Sequence, residues 1–300
     1  MRAIFLGTTA TVPTRERNHP ALYLDIGPEA LLFDCGENTQ RQIRIANLSP
    51  TKISKIFLTH WHGDHVLGLA GLLQSFELNG RKSELTIFGP EKTKERFHYL
   101  TKSFEVHVGY KVNVSEIKSE AKIKRIFDTP DYEILATKAT HTIPCLAFAF
   151  VEKPRVKINT EFLKKYGLTA HPLVGELQRG KDIVWKGKTI KAKDATYLQK
   201  GKKITYIIDS MYDEKLATFA KDSDVLICES TFSKELEADA KEKGHMTAQQ
   251  AGKLAKKAGA TLLVITHFSQ RYKDVSELLA EARKEFKNTV AARDFLEIKV

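Results

Sequence analysis

The sequence predicts a mixed α/β protein in which two β-sheets pack together with helices outside. Three observations point there. Short apolar strand-like runs alternate with helical patterns. The alternation runs through two similar halves. A chain of 300 residues is long enough to bury one large core or two smaller ones.

The elements follow in order. "AIFLG" is an apolar strand that stops at Gly7, and "ALYLDIG" and "ALLFDCG" read as a hairpin turned at Gly27-Pro28. A helix is expected from Glu37 to about Ala46. "KIFLTH" is a buried strand, and "VLGLAGLLQSFEL" is a helix apolar on nearly every face, so largely buried. "ELTIFG" is a strand, and "PEKTKERFHYL" opens a helix with Pro in its first turn. Strands are expected near 111–114, 132–139 and 145–151. The second half repeats the theme. "KITYIID", "DVLICES" and "TLLVITH" are strands, while 213–220, "TAQQAGKLAKKAG" and "DVSELLAEARKEF" are helices. "TVAAR" and "FLEIKV" return to strand at the end. Thr247 with Gln250 has capping-box spacing.

Between the halves lies a basic insert. Residues 152–203 hold fourteen Lys and Arg against five Asp and Glu, which is most of the formal excess of +11. Localised positive charge suits a polyanionic partner such as nucleic acid. A solvated Lys-rich face, common in heat-stable proteins, is the plainer alternative. The three cysteines are far apart and form no CxxC, as expected for buried, reduced thiols in the cytoplasm. No stretch approaches a signal-peptide core or a membrane span.

The chemistry concentrates in "THWHGDH". His60, His62, Asp64 and His65 fall within six positions at the end of a strand. Residues two apart on an extended segment point the same way, so His60 and His62 can reach one metal. Gly63 is expected to permit a turn that brings Asp64 and His65 to a second metal, with Gly68 leaving room for the helix. Imidazole with carboxylate suits zinc, with manganese or iron weaker. Four groups cannot fill two shells. Three later strand runs each end in one donor: His141, Asp209 and His267. Taken singly, each could be a structural histidine or a capping aspartate. Taken together, they suggest one metal on His60, His62 and His141, another on Asp64, His65 and His267, and Asp209 bridging. Two such ions suit displacement at phosphate. His245, on the loop "KEKGHMTA", could protonate a departing oxygen, oriented by Glu229, although an exposed loop histidine is the plainer reading. His19, His98, His107 and His171 carry no such pattern.

"THWHGDH" with the later His, Asp and His resembles the metallo-β-lactamase superfamily. "FLGTTATVPTRERNHPALYL", "LLFDCGENTQRQI", "GHMTA" and "ITHFSQRY" narrow the resemblance to the ribonuclease Z family over nearly the whole chain. The resemblance implies a four-layer αββα sandwich over 1–300 with a protruding basic arm at 152–203. It implies two Zn(2+), with Mn(2+) possible, held by His60, His62, Asp64, His65, His141, Asp209 and His267. Asp64 would accept the proton of the attacking water, and His245 would assist the leaving 3′ oxygen. The substrate would be precursor tRNA, cut after the discriminator nucleotide to leave a tRNA 3′-hydroxyl. The implied assembly is a homodimer. Arm contacts to tRNA would come from Lys153, Arg155, Lys157, Lys164, Lys165 and Arg179, around the loop-tipped stretch "GLTAHPLVGELQRG". Asn38, Ile208, Ser210 and His171 depart from the family's usual residues. Two other readings are a hydrolase of the same core acting on a different phosphodiester, and a non-catalytic RNA-binding protein with a structural metal.

Overall fold

The computed structural model describes residues 1–300. Two seven-stranded sheets form its larger unit. The first comprises β1 (Arg2–Gly7), β2 (Ala21–Asp25), β3 (Ala30–Phe33), β4 (Ile53–Phe57), β5 (Leu85–Gly89), β6 (Val112–Glu116) and β18 (Glu297–Lys299), in the order β18-β1-β2-β3-β4-β5-β6. β18, β1, β2 and β3 pair antiparallel, and β3 through β6 pair parallel. The second comprises β7 (Lys124–Asp128), β8 (Tyr132–Ala139), β9 (Cys145–Glu152), β14 (Lys203–Ile207), β15 (Val225–Glu229), β16 (Leu262–Thr266) and β17 (Thr289–Ala291), in the order β17-β16-β15-β14-β9-β8-β7. β14 to β17 are parallel.

The sheets meet through aromatic side chains. Phe148 of β9 lies 6.1 Å from Phe33 and 5.5 Å from Phe57, and Tyr206 of β14 lies 5.6 Å from Phe33. Burying each such ring stabilises by roughly 1.5–3 kcal/mol. The other face of the first sheet is covered by helix Leu69–Leu78, whose Leu69, Leu72, Leu73 and Phe76 join the core with Ile43 of helix Thr39–Ile45. Helices Glu214–Phe219, Ala248–Ala258 and Ser276–Glu285 accompany the second sheet. This is the helix–sheet–sheet–helix layering expected above.

The expected capping box forms: Thr247 accepts from Gln250 N, and the Gln250 side chain accepts from Thr247 N. Other expectations are corrected. Pro90 lies outside the helix, which starts at Thr93. Gly63 is not in the left-handed region. It opens the one-turn helix Gly63–Val66, so that turn needs no glycine conformation. Gly68 does need its hydrogen, because a Cβ there would lie 2.1 Å from Gly36 O. β7 has no clean alternation and was not foreseen.

A second compact unit comprises 128–133 and 151–202. Within it β10 (Arg155–Ile158) pairs antiparallel with β13 (Thr196–Gln199), and β11 (Ile183–Trp185) with β12 (Lys188–Ile190). A loop tip was expected around Pro172. Instead, Leu163, Leu168, Leu177, Ile183 and Ile190 form a small core under short helices, and Pro172 is the N-cap of helix Leu173–Gln178. His171 packs on Trp185 at 4.8 Å.

Candidate metal centre

The donor-bearing strands deliver their carboxyl ends to one place. The run after β4 carries His60 to His65, and His141, Asp209 and His267 follow β8, β14 and β16. Asp209 and His267 sit at φ 53° and 60°. That left-handed turn is uncommon outside glycine, though Asp and His reach it more readily than most residues. The structure brings all seven predicted donors together. His60, His62, His141 and Asp209 form one cluster, and Asp64, His65, Asp209 and His267 form another, each with ligand atoms within 4.8 Å of one another. Asp209 belongs to both.

Hydrogen bonds fix which ring nitrogen of His60, His65, His141 and His267 faces inward. Gly244 O can only accept, so His141 Nδ1 donates to it at 2.8 Å and Nε2 is left free. His65 Nδ1 donates to Asp34 at 2.9 Å. His60 Nδ1 lies 3.0 Å from Thr59 Oγ1, whose own proton goes to Asp34. His267 Nδ1 lies 3.0 Å from Thr231 Oγ1, which donates to Glu229. Four rings therefore present Nε2, and His62 presents Nδ1. His60 Nε2 and His141 Nε2 approach His62 Nδ1 at 3.0 and 3.2 Å. Lone pairs converge at that spacing only around a proton or a cation. The buried atoms His65 Nε2, His267 Nε2 and Asp209 Oδ1 have no hydrogen-bond partner. Buried polar atoms are ordinarily paired. The residues therefore fit a pair of divalent cations, and the outer hydrogen bonds are of the kind that orients metal-binding imidazoles.

Burial and neighbouring charges set the protonation of the cluster. Burial, with the His65 charge, pushes His60 down to about 4. Burial also lowers His267. Burial opposes charge on His65 too, but Asp34, Asp64 and Asp209 outweigh it and hold the ring well above its ordinary value. Burial would raise Asp209, yet His267 and His65 keep it well below the carboxylate range.

His245 stands at the rim, with Nδ1 at 3.3 Å from both Asp209 Oδ1 and Glu229 Oε2. Burial works against its proton, but Glu229 and Asp209 prevail and raise it to about 11. Glu229 also accepts from Met246 N, Ser210 N and Thr231 Oγ1, so it orients rather than adds a third ion. An open cleft of about 460 Å³ is lined by His62, Asp64, His141, Asp209 and His245.

Sequence reasoning missed Asp34, Thr59 and Thr231. Asp34 ends the run "ALLFDCG", so the strand-end rule that found Asp209 would have found it. The departures also acquire reasons. Asn38 takes φ 66°, a conformation open to Gly and Asn. Ser210 accepts from Thr140 N at 3.2 Å and donates to Met211 O at 2.9 Å, which ties the His141 and Asp209 turns together. Of the basic candidates, Lys153 pairs with Asp128, Arg155 with Asp131 and Glu152, Lys164 with Glu161, and Arg179 with Glu176. Lys157 and Lys165 have no acidic partner. Arg155, Lys157 and Lys200 line a cleft of about 220 Å³ in the smaller unit.

Comparison with known proteins agrees with this geometry. Residues 1–166 match the family model described as anti-Pycsar protein Apyc1, and 168–268 match the beta-lactamase superfamily domain. The chain is 38% identical to ribonuclease Z of Archaeoglobus fulgidus over 99% of this chain and 96% of that protein. It is 40% identical to ribonuclease Z of Nanoarchaeum equitans over 89% of this chain and 83% of that one. The crystal structure of human tRNase Z, short form, superposes with a TM-score of 0.74 at 27% identity, covering 100% of this chain and 99% of that chain. The first family model stops within the smaller unit, whereas the full-length relatives span both sheets and every donor. The chain therefore belongs to the ribonuclease Z family, endoribonucleases on the metallo-β-lactamase fold.

Proposed function

We propose that this protein is a zinc-dependent endoribonuclease that removes the 3′ trailer of precursor tRNA after the discriminator nucleotide. The products would be a tRNA 3′-hydroxyl and a 5′-phosphorylated trailer. The observation that carries the metal reading is the convergence of five inward-facing imidazole nitrogens and two carboxylates, three of whose atoms are buried without a hydrogen bond. Imidazole and carboxylate donors suit Zn(2+), with Mn(2+) second. One ion would take His60, His62, His141 and Asp209, and the other Asp64, His65, His267 and Asp209. When bound, such ions lower the pKa of a water and polarise a phosphoryl oxygen.

The chain's own groups would do the rest. Asp64 accepts the proton of the water that attacks phosphorus. The bond from phosphorus to the 3′ oxygen breaks, and His245 gives that oxygen a proton. Glu229 and Asp209 favour the charged imidazole, the form that can donate. The basic residues of 152–203 would hold the tRNA backbone, which secures affinity and register without reading sequence. The unpaired Lys157 and Lys165 are the first candidates, since Lys153, Arg155, Lys164 and Arg179 share their charge with acids. We expect a homodimer. No helix is long and apolar enough to cross a membrane.

The test is a cleavage map. The protein is incubated with 5′-labelled precursor tRNA carrying a 3′ trailer, with Asp64→Ala alongside. A single metal-dependent cut after the discriminator, absent in the variant, is expected. Absence of that cut, with a small phosphodiester still hydrolysed, would move the assignment to another phosphodiester.

A further inference from the structure

The loop Thr8–His19 contains two oddities that the proposed chemistry leaves unused. Thr11 sits at φ 47°, where a β-branched residue is a genuine outlier. His19 is 5% exposed, yet its Nδ1 is buried with no hydrogen-bond partner. Strain and an orphaned polar atom in one loop persist only where the surroundings over-determine them, and such features cluster at functional sites.

Both oddities lead to Asp64. The Thr11 amide donates to Asp64 Oδ2 at 2.9 Å. That oxygen is the one facing His65 Nε2 at 3.4 Å and His267 Nε2 at 4.0 Å. On the other side of the same residue, His19 Nε2 lies 3.0 Å from Thr11 O. A carbonyl only accepts, so Nε2 carries a proton, while Nδ1 makes no hydrogen bond and has only Glu37 Oε2 near it, at 3.9 Å. The His19 backbone is itself locked. A Cβ on Gly7 would lie 1.7 Å from His19 O, and one on Gly36 would lie 2.5 Å from His19 Cβ and 2.3 Å from Asp64 O. The backbones of Asp64 and His19 thus both press on Gly36, where no side chain would fit. Thr11 and His19 also border the cleft that holds Asp64.

We infer that His19 is a positioning residue for the reaction: it holds the Thr11 carbonyl, and with it the left-handed backbone of Thr11, so that the Thr11 amide fixes the Asp64 carboxylate. This rests on the reading of Asp64 given above. The ring makes no hydrogen bond to a metal donor and acts on Asp64 through the two peptide units that flank the Thr11 Cα. A group held this way determines the rate of the chemical step rather than the strength of substrate binding.

The experiment compares the parent with Asp64→Ala, His19→Leu and His19→Gln, each on precursor tRNA and on bis(p-nitrophenyl) phosphate. His19→Leu keeps bulk but has no donor, whereas Gln can still donate to Thr11 O. The expected result for Leu is a kcat loss of roughly 10–100-fold on both substrates with KM within about twofold, and for Gln recovery of most of that loss. Equal losses in Leu and Gln, a change confined to KM, or no loss would overturn the inference. Asp64→Ala separates the two readings: an active Asp64→Ala fails the site assignment, while an inactive Asp64→Ala with a fully active His19→Leu fails only the clamp. A second measurement does not depend on any variant folding. In the metal-free parent, nitrogen-15 spectra should place the His19 proton on Nε2 and show a Thr11 amide slow to exchange. A proton on Nδ1, or free exchange at Thr11, would contradict the clamp.

Discussion

The strand-end cluster and the basic unit at 151–202 make opposite use of polar side chains. In the cluster, His60, His65, Asp209 and His267 are almost wholly buried, and each is oriented by a partner that is itself buried, such as Asp34 or Thr231. In the basic unit, the lysines and arginines are largely exposed, and some, such as Lys164 and Arg179, share their charge with nearby acids across surface ion pairs. Such pairs contribute little, typically under about 1 kcal/mol. The contrast teaches where single residues matter. Low dielectric and fixed geometry make every member of the cluster consequential, while the basic unit spreads a diffuse charge over many replaceable side chains.

The sharpest way to break this comparison is at Asp64 and Asp209. Alanine at either should lower cleavage by about a thousandfold or more, because a donor and a proton acceptor, or a bridging donor, is lost. A residual rate within tenfold of the parent at either position would mean the cluster is not the reaction centre. One step further out, Asp34→Asn and Thr59→Val should weaken divalent-metal affinity by about 10–100-fold, read by competition with a chelator, with the fold intact by circular dichroism. Metal uptake by the parent at pH 7 should also release protons, since the metal-free chain holds one on His65 that must leave before Nε2 can ligate. A pH-stat would register this, and uptake without release would show that His65 is not a ligand.

Smaller effects belong to the basic unit. Lys157→Ala or Lys165→Ala should weaken tRNA binding only a few-fold, leave small-phosphodiester hydrolysis unchanged, and reduce the slope of log affinity against log salt by about 1. A separate prediction concerns pH and stability. Asp294 accepts from Thr8 Oγ1 at 2.8 Å and from Asn18 N at 2.8 Å, and burial outweighs these bonds to raise it to about 6. A carboxyl raised in the folded state favours folding in its protonated form. Its contribution is full below about pH 4 and is lost as pH rises through 6, up to about 3 kcal/mol. Relative to Asp294→Asn, the parent should therefore lose stability between pH 4 and 7, measured by urea unfolding. A constant difference would refute the shift. Glu176 in the basic unit offers a contrast, because it is lowered by Arg179 and Lys181 at the surface.

The two regions were also unequally legible in the sequence. "KIFLTH", "KITYIID" and "TLLVIT" declare both strand and donor, because a buried parallel strand is apolar throughout and ends abruptly in a polar residue. His141, Asp209 and His267 were readable on that rule, and His60, His62, Asp64 and His65 from the cluster "HWHGDH". Asp34 obeys the same rule but was hidden inside a run read as a plain hairpin. Thr59 and Thr231 were not readable at all, since a threonine hydroxyl that fixes an imidazole has no spacing signature. His19 was passed over for the same reason: its bond is to a backbone carbonyl eight residues away. The internal structure of 152–203 was lost beneath its charge. The core residues Leu163, Leu168, Leu177, Ile183 and Ile190 are too sparse among lysines to show a period.

The division between a buried reaction centre and a replaceable binding surface has one direct test. Residues 153–202 are replaced by a short Gly-Ser linker, and the variant is assayed on precursor tRNA and on bis(p-nitrophenyl) phosphate under identical metal loading. The expected result is loss of precursor tRNA cleavage with small-substrate hydrolysis close to the parent. Equal retention of both activities would contradict it, and would place tRNA recognition on the unit that carries the metal donors.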